Sequence, residues 1–418
     1  MEEEKPASKD GTLERKAIFG IVCGTHLFNH FQSSMIGVLY PFMMEDLGFG
    51  YVEIGILTAA YNMVGNLLQA IYGLIAARVK RSVMLGLGNI ALGISVVATG
   101  FAPSYRFVLG TRLFGGVGSS PQHPVGSSIL ASYYGGSRGR ALAVHSISGN
   151  LGTLLAPILS GVLLLYMGWR SIFWIVGIPS VLMGATCLLF RDRLRSASSQ
   201  GRESRLSYQG WEAYKRCLQN RNILVVSLVL MAGAAGRGQG INVTYLIPHF
   251  VNDLHVEVSY AAFLFTLLQL GGLIGPIIWG WISDRFSRAR TIQVSLLLSA
   301  LTTFWLAWQS QVSASLIVNL IFYGTVVTSR QTLTQALLSD VSDERTLDAA
   351  FSLYYFIGFL SAPAWTLLTG WIMQNFGFHY AFSVISLSYV LGMAILLFLR
   401  EPARHTETEE RVDLDENE

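Results

Sequence analysis

The chain has 418 residues, of which 52% are hydrophobic and only 13% charged, 29 Lys and Arg against 26 Asp and Glu. A soluble domain is about 25% charged, so the deficit, with a mean hydropathy of +0.46, points to lipid as the main solvent and excludes a soluble enzyme. The net charge of +3 is the mild basicity of a membrane protein's cytoplasmic loops and gives no support to nucleic-acid binding. Cys23, Cys187 and Cys217 lie on or beside apolar segments without paired spacing, so neither a disulfide framework nor a metal site is expected from them.

A bilayer span takes about 20 mostly apolar residues. Twelve such segments follow one another at 17–44, 51–76, 81–101, 104–133, 139–165, 171–190, 222–251, 259–282, 290–310, 313–338, 347–373 and 379–399. Each is predicted to be helical, because a lipid-exposed backbone must satisfy its own hydrogen bonds. Segment 1 is too long, and too interrupted by His26, Asn29 and His30, for a signal-peptide core. Placing the N-terminus inside puts Arg15, Lys16, Arg78, Lys80, Arg81, Arg138 and Arg140 in the cytoplasm and leaves Arg106 and Arg170 as the basic residues outside. The positive-inside rule therefore sets both termini in the cytoplasm, with the chain in the plasma (cell inner) membrane.

Between segments 6 and 7 the stretch 191–221 turns basic and Ser-containing, which suits a cytoplasmic linker drawn to anionic headgroups. It divides a first six-helix bundle at 17–190 from a second at 222–399, with a tail at 1–16 and an acidic, solvated tail at 400–418. The halves repeat: Gly280 follows Gly73 by 207 residues, Pro363 follows Pro157 by 206, and the run from Gly377 to Phe382 follows that from Gly168 to Phe173 by 209. Nearly equal offsets at matching helix positions mark an internal duplication.

The residues after Gly280 read Trp-Ile-Ser-Asp284-Arg285-Phe-Ser-Arg288, and the first-half copy runs from Gly73 through Ala77 and Arg78 to Arg81. A glycine allows a tight helix exit, and charges behind it can latch helix ends and helix dipoles. Segment 4 carries Arg112-Leu-Phe-Gly115-Gly116, and segment 5 carries Gly152 to Gly161 with Ala156-Pro157 inside, where small residues permit close packing and proline bends the helix. With these motifs the chain resembles the major facilitator superfamily over nearly its whole length, and the segment 5 run is similar to that superfamily's exporter signature. Ala77 stands where the family usually has Asp. The run Ser120-Pro121-Gln122-His123-Pro124, followed by Gly139-Arg140-Ala141, resembles the fosmidomycin-resistance-like branch. The resemblance implies an all-α integral membrane fold of twelve transmembrane helices in two pseudo-symmetric six-helix bundles. It further implies two halves rocking around a midplane site, driven by an ion gradient, with protons the expected ion. Gating or coupling roles then fall to Arg78, Asp284, Arg285, Arg112 and Pro157.

No Asp or Glu falls deep in a segment, whereas Arg112, Arg237 and Arg330 do. An intramembrane Arg costs about 3 kcal/mol even on insertion scales, and without acidic partners an anionic substrate is the sharpest explanation. The competing one is that the guanidinium groups bind carbonyl ends of neighbouring helices or snorkel to water. Arg237 sits among Gly236, Gly238 and Gly240, where backbone is open to a ligand; Arg330 shares a helix face with Tyr323 and Thr334. His26 and His30, four apart, form with Asn29 a polar stripe in segment 1, and His123 and His145 also lie at membrane depth. Histidine titrates near working pH, so these four are candidate proton carriers, against the plainer role of helix-to-helix hydrogen bonding by a neutral ring. Tyr245 and Tyr354 are candidate pocket aromatics.

The sequence thus leads to a secondary transporter that exports a small organic anion or amphipathic drug-like compound in exchange for protons, functional as a monomer and without cofactor or metal. Anion uptake by proton symport is the nearest alternative, with a non-transporting sensor and an integral membrane enzyme more remote. The enzyme reading would need the His26 and His30 pair to be completed by further convergent ligands with supporting carboxylates; no Gly-rich phosphate loop is present, and the Gly-x-Ser-x-Gly match from Gly135 to Gly139 falls between two predicted helices, without the strand-to-helix turn of a nucleophile elbow.

Overall fold

Short polar connections between apolar helices leave consecutive helices antiparallel, and the fold follows from which faces they then share. The computed structural model describes residues 9–69, 79–134, 138–189, 212–233, 240–343 and 346–400. Arg78, Arg237, most of the basic linker, residues 1–8 and residues 401–418 lie outside the described residues, and the rest of the N-terminal tail, 9–16, is part of the first helix. The first half contains α1 (Lys9–Leu47), α2 (Tyr51–Gln69), α3 (Arg81–Thr99), α4 (Tyr105–Ser119), α5 (Gln122–Tyr133), α6 (Arg138–Leu164) and α7 (Trp169–Leu189). The second contains α8 (Arg221–Ala232), α9 (Ile241–Pro248) with a π-helical turn at His249–Asp253, α10 (Val258–Arg285), α11 (Arg288–Ala307), α12 (Ala314–Asp340), α13 (Leu347–Leu360), α14 (Ala362–Phe376) and α15 (Phe378–Leu396). No strand occurs among the described residues.

The duplication read from residue offsets reappears in the packing. In the first half α1 packs on α6, α2 on α4, and α3 on both α4 and α7; in the second α8 packs on α13, α10 on α12, and α11 on both α12 and α15. These are the same partnerships six segments apart. Across the halves α2 meets α14 and α10 meets α6, again a symmetric exchange, while α1 meets α9 near the axis. Glycines set the spacing: a β-carbon on Gly37 would overlap the Val243 carbonyl oxygen across the two halves, and one on Gly118 would overlap the Leu92 backbone. Small residues that let backbones approach are how lipid-embedded helices gain van der Waals contact.

The structure departs from the twelve uninterrupted segments at three places. Segment 4 divides into α4 and α5 at Ser120-Pro121, segment 11 into α13 and α14 at Ser361, and segment 7 into α8 and α9. Proline accounts for the first two, since Pro121 and Pro363 supply no N–H to the helix ladder. Around the third, Gly233 is extended at φ −75°, ψ 104° and Gly240 lies at φ −99°, ψ −135°, so helical geometry stops on both sides of the Gly-rich run. At the first break the Val117 carbonyl, left without the N–H of Pro121, accepts from the Ser120 hydroxyl at 2.6 Å, and the Gln122 side chain ties the break to Asn89 of α3 and Thr25 of α1, each at 3.2 Å. Broken helices are tolerated inside a membrane protein where neighbours satisfy the freed backbone or where it lines a cavity.

Candidate functional site

At one end of the bundle the halves are joined by polar contacts. Tyr51 at the start of α2 donates to both Asp253 carboxylate oxygens at 3.2 Å, the Val52 N–H donates to Gln374 at 3.0 Å, and the buried Tyr245 hydroxyl donates to the Thr366 carbonyl at 2.6 Å. Tyr245 therefore sits in this seal, wedged against Gly55 and Gly370. Beneath it a narrow crevice of about 10 Å3, no more than water-sized, is lined by Ser33, Thr58, Tyr61, Arg112, Val243 and Thr244, residues of both halves. Arg112 lies 3.9 Å above the Tyr61 ring, a cation–π contact, and Tyr61 in turn pairs with Ser33 at 3.0 Å. The chain Tyr40 to Thr58 to Thr244, at 3.2 and 3.1 Å, crosses from α1 through α2 to α9. Asn29 is buried beside this crevice, where its carbonyl accepts from Ser33 at 3.0 Å.

The second-half centre is Arg330 on α12. It is fully buried, and none of its Nε, Nη1 and Nη2 atoms has a hydrogen-bond partner. Tyr323, Tyr354 and Tyr389 surround it, the Tyr389 ring centroid 5.6 Å from the guanidinium carbon. Tyr354 pairs with Thr334 at 2.6 Å, so Thr334, Tyr323 and Arg330 share the inward face expected of their spacing. Gly233, where α8 ends, faces the guanidinium so closely that a β-carbon there would overlap Nη1. Tyr323 donates to Asn242 at 2.8 Å, tying α12 to the start of α9. Five donors on a buried cation with no acceptor among the described residues leave a charge that is costly to bury. Arg237, expected to share this role, lies outside the described residues.

The first-half centre is histidine. His26, His30, His123 and His145 come together from α1, α5 and α6: His26 stacks on His145 at 3.9 Å and meets His30 and His123 edge-on at 4.6 and 4.9 Å, and His30 meets His123 at 5.3 Å. The His26 Nδ1–H donates to the His145 carbonyl at 2.7 Å, and His30 Nδ1 lies 3.2 Å from the Thr153 hydroxyl, itself a donor to the Gly149 carbonyl at 3.3 Å. Residues about a hundred positions apart thus share one interhelical space: His123 and His145 join the His26 and His30 pair, which their separation in sequence does not reveal. Sequence reasoning also missed Gly233, Tyr389 and Thr153, whose only signal is the fold.

The charged loop motif is assembled in the second half. Arg288 bonds Asp284 at 3.1 Å and Asp340 at 2.5 Å, joining the ends of α10 and α12 to the start of α11, while Arg285 lies 3.7 Å over the Trp281 ring. The latch thus runs through Arg288 rather than Arg285. Its first-half counterpart, Arg78, lies outside the described residues. Pro157 is inside α6, which stays continuous through it.

The sequence profile of the Major Facilitator Superfamily matches residues 22–238 and again 229–415. The chain is 24% identical over 286 residues to the fosmidomycin resistance protein of Escherichia coli strain K12, covering 67% of this chain and 68% of that one. It is 23% identical over 424 residues to a probable hexose phosphate transport protein of Chlamydia trachomatis, covering 92% and 90%. The crystal structure of a bacterial homologue of the human lysosomal transporter Spinster superposes with a TM-score of 0.75 at 18% identity, covering 94% of this chain and 95% of that one. The doubled profile match agrees with the doubled packing, and the chain belongs to the Major Facilitator Superfamily, as an integral membrane transporter and not an enzyme.

Proposed function

We propose that this transporter carries a small organic anion by alternating access and exports it in exchange for protons. The observation that carries the reading is Arg330, a fully buried cation whose guanidinium nitrogens have no partner. Burying a charge without a counterion is strongly unfavourable, and an anion arriving between the halves removes that penalty while it is bound. Gly233 leaves room at the guanidinium, and the N-terminal end of α9 opens nearby, with a helix dipole that favours negative charge. Likeness to a hexose phosphate transport protein and to a fosmidomycin resistance protein fits an anionic or drug-like cargo.

The positive-inside count puts both termini in the cytoplasm and the Tyr51, Asp253 and Gln374 seal at the outer face. On this reading the end opposite the seal is the cytoplasmic one, the side from which an exporter loads. The four histidines are the proton carriers of this reading, with Arg112 and the Arg288 latch governing the passage between states. The protein acts as a monomer in the plasma membrane.

The test is a thermal-shift screen of the purified protein against anionic metabolites and antibiotics at two pH values, followed by counterflow in proteoliposomes. The reading expects anions among the stabilising ligands and expects Arg330→Gln and Arg237→Gln each to abolish that stabilisation. A ligand set without anions overturns it. Flux that follows an imposed proton gradient inward together with the anion would replace exchange by symport.

A further inference from the structure

We infer that the histidine cluster of the first half is a binding site for one divalent transition-metal cation of borderline softness, zinc or a close neighbour, held by His26, His30 and His123. One ring nitrogen from each lies within 4.8 Å of the other two. Zinc bound at about 2.0–2.1 Å from each nitrogen sets them about 3.4 Å apart, so an edge closes by up to roughly 1.4 Å when the ion arrives. His26 and His30 stand at i and i+4 on α1, the spacing that puts two imidazoles on one helix face toward a metal. His123 comes from α5, on the other side of the space that the two α1 rings face.

The hydrogen bonds set the tautomers for ligation. A carbonyl only accepts, so the bond to the His145 carbonyl fixes the proton of His26 on Nδ1 and leaves a lone pair on Nε2, which is buried and has no partner. Because the Thr153 hydroxyl donates to Gly149, its oxygen accepts from His30 Nδ1–H, leaving Nε2 of His30 as the basic nitrogen. Orientation of a ligating imidazole through its other ring nitrogen, by a carbonyl or hydroxyl, is the usual arrangement around bound metals. Gly149 completes the support: a β-carbon there would come within 2.6 Å of the His26 ring. Three imidazoles in a group that includes no carboxylate among the described residues disfavour calcium and magnesium, which take oxygen ligands. They also leave the fourth position of the ion to water or to an anion.

This site needs neither Arg330 nor a cargo, but it takes three of the four histidines that the proposed exchange uses as proton carriers, so a bound ion and proton transfer exclude each other there. The full-length protein in detergent, stripped with chelator, is titrated with zinc chloride in calorimetry and with cobalt chloride by visible absorption. The expected result is one zinc per chain and the intense spectrum of four-coordinate cobalt. Affinity should fall at least about tenfold in His30→Gln and His123→Gln, and stay unchanged in His255→Gln, which alters an exposed loop histidine. His123→Gln carries the test if a change on α1 prevents folding, since His123 lies at an exposed position. No saturable zinc binding, a six-coordinate cobalt spectrum, or affinity indifferent to His30→Gln and His123→Gln overturns the site.

Discussion

The two halves place different chemistry at corresponding points of one scaffold. Arg330 follows His123 by 207 residues and Gly233 follows His26 by 207, the spacing of Gly73 and Gly280; Tyr354 follows His145 by 209, the spacing of Gly168 and Gly377. Both clusters therefore occupy the first, fourth and fifth helices of their half. In the first half imidazole rings lean on one another, and His26 and His30 bond a carbonyl and a hydroxyl. In the second half one permanent cation stands among tyrosines with its nitrogens unbonded, and glycine replaces the ring that would fill its space. The duplication fixed a location, and the side chains then diverged into lone pairs on one side and donors on the other. On the readings proposed above, one half suits a proton or a cation, and the other an anion.

The comparison breaks first at Arg330. Arg330→Gln should weaken binding of an anionic ligand by about 100-fold, roughly 2.7 kcal/mol, the size of one or two charge-assisted hydrogen bonds. The ligand-free variant should melt above the parent, because an unpaired buried charge has been removed. Calorimetry and thermal melts read both effects, and a ligand-free variant that melts lower than the parent contradicts the unpaired state.

Two glycine changes sharpen the contrast between the halves. Gly233→Ala should displace the guanidinium and lower anion affinity by about tenfold or more, or about 1.4 kcal/mol. Gly149→Ala should push the His26 ring without touching anion affinity. Equal loss of anion binding in both would mean that the two centres form a single site.

A third variant tests the seal that brings the halves together. Gly37→Val places a branched side chain against the Val243 carbonyl and should hold α1 and α9 apart. A cysteine introduced at Thr58 should then become reactive to a membrane-impermeant thiol reagent from the sealed end, and unchanged labelling would show that the seal does not depend on this approach.

The smallest effects belong to the loop charges. Asp340→Asn leaves Arg288 with Asp284 alone and should change transport rate by no more than about fivefold, since partly exposed ion pairs contribute about 0.2–1 kcal/mol. In the first half Asp46 bonds Arg170 at the sealed end, and this contact holds the Asp46 carboxyl below its ordinary value. A carboxyl lowered in the folded protein stabilises it above the ordinary carboxylate range and loses that contribution as pH falls through the lowered value. The difference in melting temperature between the parent and Asp46→Asn should therefore be present near neutrality and vanish in acid.

Much of this was legible in the chain, for reasons that can be named. The apolar runs gave the helices, and the matching offsets gave the duplication, because periodicity and spacing are local or additive properties. Arg330, Tyr323 and Thr334 were legible as one face because a single helix carries all three. Breaks were harder. Pro121 and Pro363 carry a signal, yet Pro157 sits within a helix that continues through it; a proline states only that one bond is missing, and neighbours decide whether the helix stops.

The sequence by itself determined the solvent, the twelve apolar segments and the charges that lipid would not tolerate, since each depends on composition over about 20 residues. Tertiary structure decided which of those charges and rings meet. Tyr245 reads as a pocket aromatic and turns out to hold the seal through Thr366. His123 and His145 read as separate polar positions and become part of one cluster with His26 and His30. Only the packing of α1 against α5 and α6 brings residues about a hundred positions apart within ligand distance, and only the ending of α8 at Gly233 leaves a buried arginine its space.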